Sequence, residues 1–250
     1  MTIYTPEMPN PALRDLTGLA STYAAGTHIA PHSHPAHQII HATQGTMRVL
    51  AEDGLWFLPP GRALWMPAGV SHAITCSGAV AMRTAYLSCA CKVAFDAVRV
   101  IGVSGLMREV LIRLAEPGSD PIRGMLAETL IHEIETGVAE PFCLPLPGDA
   151  RIARIAARLQ ADPGDATPLT AWARDLGFSE RSLIRAIRRE TGLTFREFRR
   201  QTRVMVAIER LSAGQPVTAV ALDVGFESPS AFIHAFRLVT GQTPGKFLGA

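Results

Sequence analysis

One stretch of this chain occurs twice. Thr170-Ala171-Trp172-Ala173-Arg174-Asp175-Leu176-Gly177-Phe178 and Thr218-Ala219-Val220-Ala221-Leu222-Asp223-Val224-Gly225-Phe226 agree at six of nine positions, at an offset of 48. Thr191-Gly192 and Thr240-Gly241 repeat at an offset of 49. A duplicated segment of this length is one supersecondary unit used twice. Each copy reads as a short alanine-rich helix, a break at Gly-Phe and a second helix. That is helix-turn-helix grammar: small residues let two helices cross closely, and glycine supplies the turn. The spacing predicts the second helices over about 180–190 and 229–238, the latter with Ser228 as N-cap and Pro229 at its first position. A longer helix over about 195–211 separates the copies.

Charge sets this region apart. Residues 150–250 carry a net +6, whereas residues 1–149 carry −4. A basic C-terminal part beside an acidic remainder suggests two domains, the basic one facing a polyanion, although a solvated arginine excess would look the same. Two stretches, 16–47 and 63–82, hold no Asp, Glu, Lys or Arg. The first contains five histidines with Pro31 and Pro35, and the second Pro67, Gly69, His72 and Gly78, so neither is a continuous apolar helix that would span a membrane. No basic segment followed by an apolar run opens the chain, so no signal peptide is expected. Cys76, Cys89, Cys91 and Cys143 match no zinc or disulfide spacing and are read as reduced thiols of a cytoplasmic protein.

The first half is strand-rich. Short apolar runs are broken by Gly, Pro and Asp-Gly from about residue 18 to 103, and Asp53-Gly54 between two such runs is a hairpin signal. Many short strands punctuated in this way indicate a barrel or sandwich. Two helices are predicted after it. One follows Ser104 as N-cap, with Leu106, Val110, Leu111 and Leu114 on one face; the other spans about 121–136, with Leu126, Leu130 and Ile134 on a stripe. Residues 141–148 hold three prolines and read as a linker, and the proline-containing residues 1–17 as a flexible arm.

Residues 150–250 resemble the AraC/XylS family of bacterial transcription regulators. The residues that carry the resemblance are Gly177-Phe178-Ser179-Glu180-Arg181-Ser182-Leu183-Ile184-Arg185 and Gly225-Phe226-Glu227-Ser228-Pro229-Ser230-Ala231-Phe232, extended by Phe236, Gly241 and Pro244. The resemblance implies seven helices with two helix-turn-helix units whose recognition helices enter successive major-groove segments of double-stranded DNA. It places Arg185, with Arg181 beside it, where bases are read. Four residues apart, the two share a helix face, and each can fork onto guanine O6 and N7 or remain solvated. Ser182 would serve a base or a phosphate. In the second unit, Ser230, Ala231 and His234 are the exposed candidates, a weakly polar face suited to a thymine methyl or to the backbone. Leu183 and Ile187 are expected in the core. Arg199, Arg200 and Arg203 on the connecting helix suit a solvated face or a phosphate clamp equally.

The first half carries a separate signal. Gly26-x5-His32-x-His34-x3-Gln38-x6-Gly45 is followed, sixteen residues on, by Gly61-x5-Pro67-x-Gly69-x2-His72. These are similar to the two cupin motifs, with glutamine in place of the usual glutamate and Cys76 in place of the closing asparagine. Alternation along a strand would put His32 and His34 on the same face, with His72 arriving from another strand. Three imidazoles and an amide oxygen would hold zinc or another first-row divalent metal, or the histidines would hydrogen-bond a small-molecule effector with no cofactor required. His28, His37 and His41 are read as surface or strand histidines, and Trp56, Trp65 and Met66 as lining the cavity or packing the core. Residues 56–67 resemble the branch of the family typified by a regulator of nitroimidazole efflux.

The expected architecture is therefore two-domain α+β. It has an arm (1–17), a cupin-like β-barrel with two trailing helices for effector binding and dimerisation (18–140), a linker (141–149) and an all-α double helix-turn-helix domain (150–250). The function it implies is a sequence-specific, ligand-responsive transcription regulator, not an enzyme, acting as a homodimer, with RNA polymerase as a further partner. The alternative is a metal-dependent cupin enzyme, an oxygenase or isomerase, with a DNA-binding tail. Few carboxylates are available in the barrel for acid–base work, which weighs against it.

Overall fold

The structure is a computed structural model and describes residues 3–4, 16–52, 54–91, 95–117 and 121–247. The chain divides into two compact units, with the main break between Phe142 and Cys143. Most of the predicted arm lies outside the described residues. Of the rest, Ile3–Tyr4 forms strand β1 and residues 16 and 17 already belong to β2 (Leu16–Tyr23), so the folded unit starts earlier than expected.

The first unit continues with β3 (His28–His32), β4 (His37–Gln44), β5 (Met47–Ala51), β6 (Gly54–Leu58), β7 (Arg62–Met66), β8 (His72–Cys76), β9 (Val80–Leu87) and β10 (Arg99–Gly102). Helices α1 (Gly105–Leu114) and α2 (Arg123–Thr136) and strand β11 (Ala139–Glu140) follow. One sheet runs β1-β3-β8-β5-β6 and the other β11-β10-β7-β4-β9-β2, the cupin-like architecture. Asp53 of the expected hairpin lies outside the described residues. Its neighbour Glu52 takes a φ of 51°, the left-handed backbone that a two-residue hairpin demands.

The two helices cover one sheet. Ser104 caps α1 as predicted, accepting from the backbone N–H of Met107. The inward face is Met107, Val110, Leu111 and Leu114, whereas Leu106, placed on that face by sequence, is 56% exposed. Leu130 and Ile134 of α2 join them against Ile39, Trp65, Ala85, Leu87 and Ile101. A Cβ on Gly18 would stand 2.1 Å from the Leu114 carbonyl oxygen, so glycine there lets α1 end flat on β2. Trp65 and Met66 are fully buried, and the Trp65 indole N–H donates to the Phe95 carbonyl at 3.1 Å. The core, not a cavity, takes both residues.

The predicted linker is structured at its middle. Phe142 is fully buried and accepts from the Phe57 N–H, and β12 (Cys143–Pro145) opens the second unit, where Gln201 Nε2 donates to the Cys143 carbonyl at 2.6 Å.

The second unit holds seven helices among the described residues: α3 (Ala150–Ala161), α4 (Leu169–Asp175), α5 (Glu180–Thr191), α6 (Phe195–Ser212), α7 (Val217–Asp223), α8 (Pro229–Thr240) and α9 (Pro244–Phe247). The duplicated residues are those that the capping geometry needs. In the first copy, Phe178 N–H bonds to Ala173 O and Gly177 N–H to Arg174 O; in the second, Phe226 bonds to Ala221 and Gly225 to Leu222. This is the Schellman closure, with glycine in the left-handed conformation (φ 69° and 84°) and an apolar residue after it. The Thr-Gly repeat closes the recognition helices with the simpler αL motif, the glycine N–H groups donating to the Arg188 and Arg237 carbonyls. The hydroxyls of Thr191 and Thr240 donate to Ile187 and Phe236 carbonyls and accept from Leu193 and Gln242 N–H groups, ahead of left-handed Gly192 and Gly241.

Candidate nucleic-acid interface and histidine pocket

The amphipathic pattern of α5 dictates what it shows to solvent. Leu183, Ala186 and Ile187 face the core, which leaves Arg181 and Arg185 exposed, with Ile184 (46% exposed) beside them. Ser179 caps the helix by accepting from Ser182 N–H. The half-buried Ser182 hydroxyl donates back to the Ser179 carbonyl at 2.8 Å, so it is engaged in the cap rather than free on the reading face. On α8, Phe232, Ala235 and Phe236 are buried and Ser230, Ala231 and His234 are exposed. Ser228 caps α8 by accepting from Ala231 N–H, with Pro229 at the first position. The arginine pair and the weakly polar trio thus lie on the outward faces of the two recognition helices. A protein reads base edges with such faces, the guanidinium fork suiting guanine and the small groups suiting a thymine methyl.

In the first unit, His32 is the last residue of β3 and stands directly opposite His72 of β8, across a register irregularity between Ile29 and His32. Their rings are 4.3 Å apart. His34 does not share a strand with His32, as alternation predicts, because β3 ends at His32 and His34 lies in the loop before β4. That loop still brings its buried ring to 5.2 Å from His72 and 6.3 Å from His32. Gln38 follows on β4, opposite Tyr86 of β9. So the four predicted residues do meet, joined by Thr84 and Tyr86, which lie outside both cupin motifs. Their i, i+2 spacing on β9 was the available signal.

Each imidazole is oriented by its own backbone. The Nδ1 atoms of His32, His34 and His72 donate to the carbonyls of Ala30, Ala36 and Val70 at 2.8, 2.7 and 3.0 Å. Nε2 is therefore the working atom of each ring. His34 Nε2 lies 2.9 Å from Gln38 Oε1, while Gln38 Nε2 donates to Thr84 Oγ1 and Tyr86 Oη, both at 3.0 Å. Both His34 contacts are donor bonds only in the imidazolium; with a neutral ring, the Gln38 amide must turn its nitrogen to His34. His72 Nε2 is buried without a hydrogen-bond partner. Burial pulls the His72 pKa down to about 4 against the opposing Val70 carbonyl, with His32 and His34 adding to the fall. His72 also lines a cavity of about 390 Å³ with Pro31, Leu50, Glu52 and Val70.

Backbone-oriented imidazoles and an orphaned Nε2 are what a metal ligand set requires. However, His34 Nε2 is engaged by Gln38, and no three His, Cys, Asp or Glu side chains among the described residues stand as a formed metal centre. As arranged, the cluster fits a hydrogen-bonding pocket better than a metal site. The other histidines have local partners. His37 stacks on Trp65 at 5.0 Å, His28 Nδ1 meets Thr75 Oγ1 at 3.2 Å, and His41 Nδ1 donates to the Arg62 carbonyl from a buried position.

Comparison with known proteins finds a match in each part of the chain. Residues 15–119 match the family described as AraC-like ligand binding domain, and residues 172–250 match a helix-turn-helix domain. The HTH-type transcriptional regulator NimR of Escherichia coli (strain K12) is 29% identical over 221 residues, 87% of this chain and 81% of that protein. The HTH-type transcriptional regulator RipA of Corynebacterium diphtheriae is 36% identical over 129 residues, 50% of this chain and 38% of its own. Among solved structures, ToxT from Vibrio cholerae matches 94% of this chain and 98% of its own at 11% identity and a TM-score of 0.41. No helix among the described residues is long and apolar enough to cross a membrane. The chain is not an enzyme, and the cupin-enzyme alternative falls with its family. A cupin-like ligand-binding domain followed by two helix-turn-helix units, matched in both parts, makes this chain a member of the AraC family of DNA-binding transcription regulators.

Proposed function

We propose that α5 and α8 read a specific operator and that a small molecule in the histidine pocket sets how strongly they do so. The observation that carries this reading is the paired, outward-facing Arg181 and Arg185 on a recognition helix closed by the same caps as its duplicate. Arg185 and Arg181 take guanine edges. Ser230, Ala231 and His234 supply the shallower second contact, and Ser182 supports the first through its cap. An effector shifts operator binding only if its affinity differs between two states of the protein, and the pocket offers it polarised Nε2 atoms and a neighbouring cavity. The regulator works in the cytoplasm as a dimer through the exposed apolar residues that the barrel leaves over on α1 and α2, among them Leu106 and Met125; RNA polymerase is a further partner.

The test is binding of the purified protein to DNA flanking its own gene, against random DNA, over a series of salt concentrations. Preference for the flanking DNA that survives physiological salt supports the reading, and sequence-blind binding that vanishes with salt overturns it. A second reading, favoured by the unpartnered His72 Nε2, is a divalent metal held by His32, His34 and His72 once Gln38 yields. Metal analysis of the protein before and after chelation decides that point, and loss of metal in a His32→Ala, His34→Ala variant would support it.

A further inference from the structure

We propose that the cleft between α6 and the second recognition helix, α8, seats a DNA backbone strand through Arg196, Arg199, Arg200 and Arg203. The proposal rests on the DNA-binding reading above and names a contact outside both recognition helices. The four arginines follow i, i+3, i+4, i+7 spacing and so share one face of α6. They line a cleft of about 670 Å³ whose other wall includes Ala231 and His234 of α8, and no carboxylate lines it. The nearest explanation for so many cations, an internal ion-pair network, does not account for all of them. Asp165 lies near enough to act on Arg199 and Arg203, and Arg200 acts on Glu197, but Asp165 is paired with Arg158 and none of the four arginines comes within ion-pair distance of a carboxylate among the described residues. Like charges stacked along one helix face repel, so the arrangement suits an occupant that is itself a polyanion.

Two of the four are set in advance. Arg199 lies over the Phe195 ring at 4.4 Å and donates to the Thr167 carbonyl; Arg203 lies over Phe226 at 5.5 Å and donates to the Pro163 carbonyl at 2.8 Å. Their planes are held with other N–H groups still to be satisfied, which lowers the entropy lost when an anion arrives.

The two recognition helices also differ in what they carry. Helix α5 has Arg181, Arg185, Arg188 and Arg189, whereas α8 has Arg237 alone. A helix in the major groove lies between two phosphate strands and needs cations on its flanks to hold register. Helix α5 brings its own, and for α8 the flanking cations come from α6.

Arg196→Gln, Arg200→Gln and the double variant test this, because neither side chain anchors a loop as Arg199 and Arg203 do. Binding to the flanking DNA and to random DNA is followed by fluorescence anisotropy across a salt series, with thermal melting as the check on folding. Each substitution is expected to reduce the slope of log affinity against log salt by about one and to weaken binding to both DNAs by the same factor. Slopes and affinities equal to wild type, in folded variants, overturn the backbone seat and leave the DNA reading standing. Loss confined to the flanking DNA would make the arginines base readers and also overturn the seat. A wild-type protein that binds neither DNA overturns both.

Discussion

Arg185 and His72 occupy opposite ends of the solvation scale, and their chemistry follows from it. Arg185 is exposed on α5, so its guanidinium is free to fork onto a guanine edge. Arg185→Ala is expected to cost about 1–3 kcal/mol of operator binding with little change for random DNA. Equal operator affinity for variant and wild type would remove Arg185 from the reading face. His72 is 1% exposed, and burial holds its pKa near 4, below the ordinary value of 6.5. The unfolded chain therefore binds the proton more readily between those values, so the stability of the first unit is complete above about pH 6.5 and is lost progressively down to about pH 4. The full effect is about 3 kcal/mol. Burial depresses His37 and His41 as well, so they steepen the same fall. In His72→Gln, melting temperature should decline less steeply over that range; an unchanged decline would assign the acid sensitivity to the other two. The histidine cluster was legible in the sequence as a set of residues but not as a geometry. Alternation placed His34 on a strand with His32, whereas a loop containing Pro35 carries it to Gln38 by another route.

At the scale of elements, the parts that were legible are those governed by backbone chemistry. Gly-Phe and Thr-Gly recur because Schellman and αL closures both admit few residues at their left-handed position, and a threonine hydroxyl serves both sides of a helix end. Packing choices between similar residues were not legible. Leu106 and Met107 are both apolar, and only the tertiary contact decides which faces Trp65 and its neighbours. The two turn glycines now part company. Gly177 and Gly225 share the left-handed backbone, but a Cβ at Gly177 meets nothing within 4 Å, whereas one at Gly225 would stand 2.7 Å from the Gly164 Cα. Gly177→Ala is expected to cost about 1 kcal/mol from backbone conformation alone, and Gly225→Ala about 1–3 kcal/mol more from overpacking. Denaturant unfolding of the two variants compares them directly, and equal losses would mean that the Gly164 loop yields without cost.

For the whole molecule, the question is how many copies act together. Each unit has its own buried core, and the apolar stripes of α1 and α2 are spent on the first unit's sheet: Met107, Leu111, Leu130 and Ile134 are all fully buried. The two helices were expected to serve dimerisation, but their inward stripes pack on the barrel. What remains for a second copy is the outer row, where Leu106 is 56% and Met125 60% exposed. Exposed residues of this kind contribute little to the stability of one copy, so a charge placed there should leave the fold within about 0.5 kcal/mol of wild type. In a twofold interface the same substitution acts twice, because each copy presents the same patch to the other. The Leu106→Glu, Met125→Glu double variant is therefore expected to melt like wild type but to sediment as a monomer. It should also lose the advantage that a two-half-site operator gives a dimer over a single half-site. A double variant that sediments as a dimer would move the interface away from α1 and α2. A wild-type protein that is monomeric at every concentration would leave its two helix-turn-helix units to read the operator within a single chain.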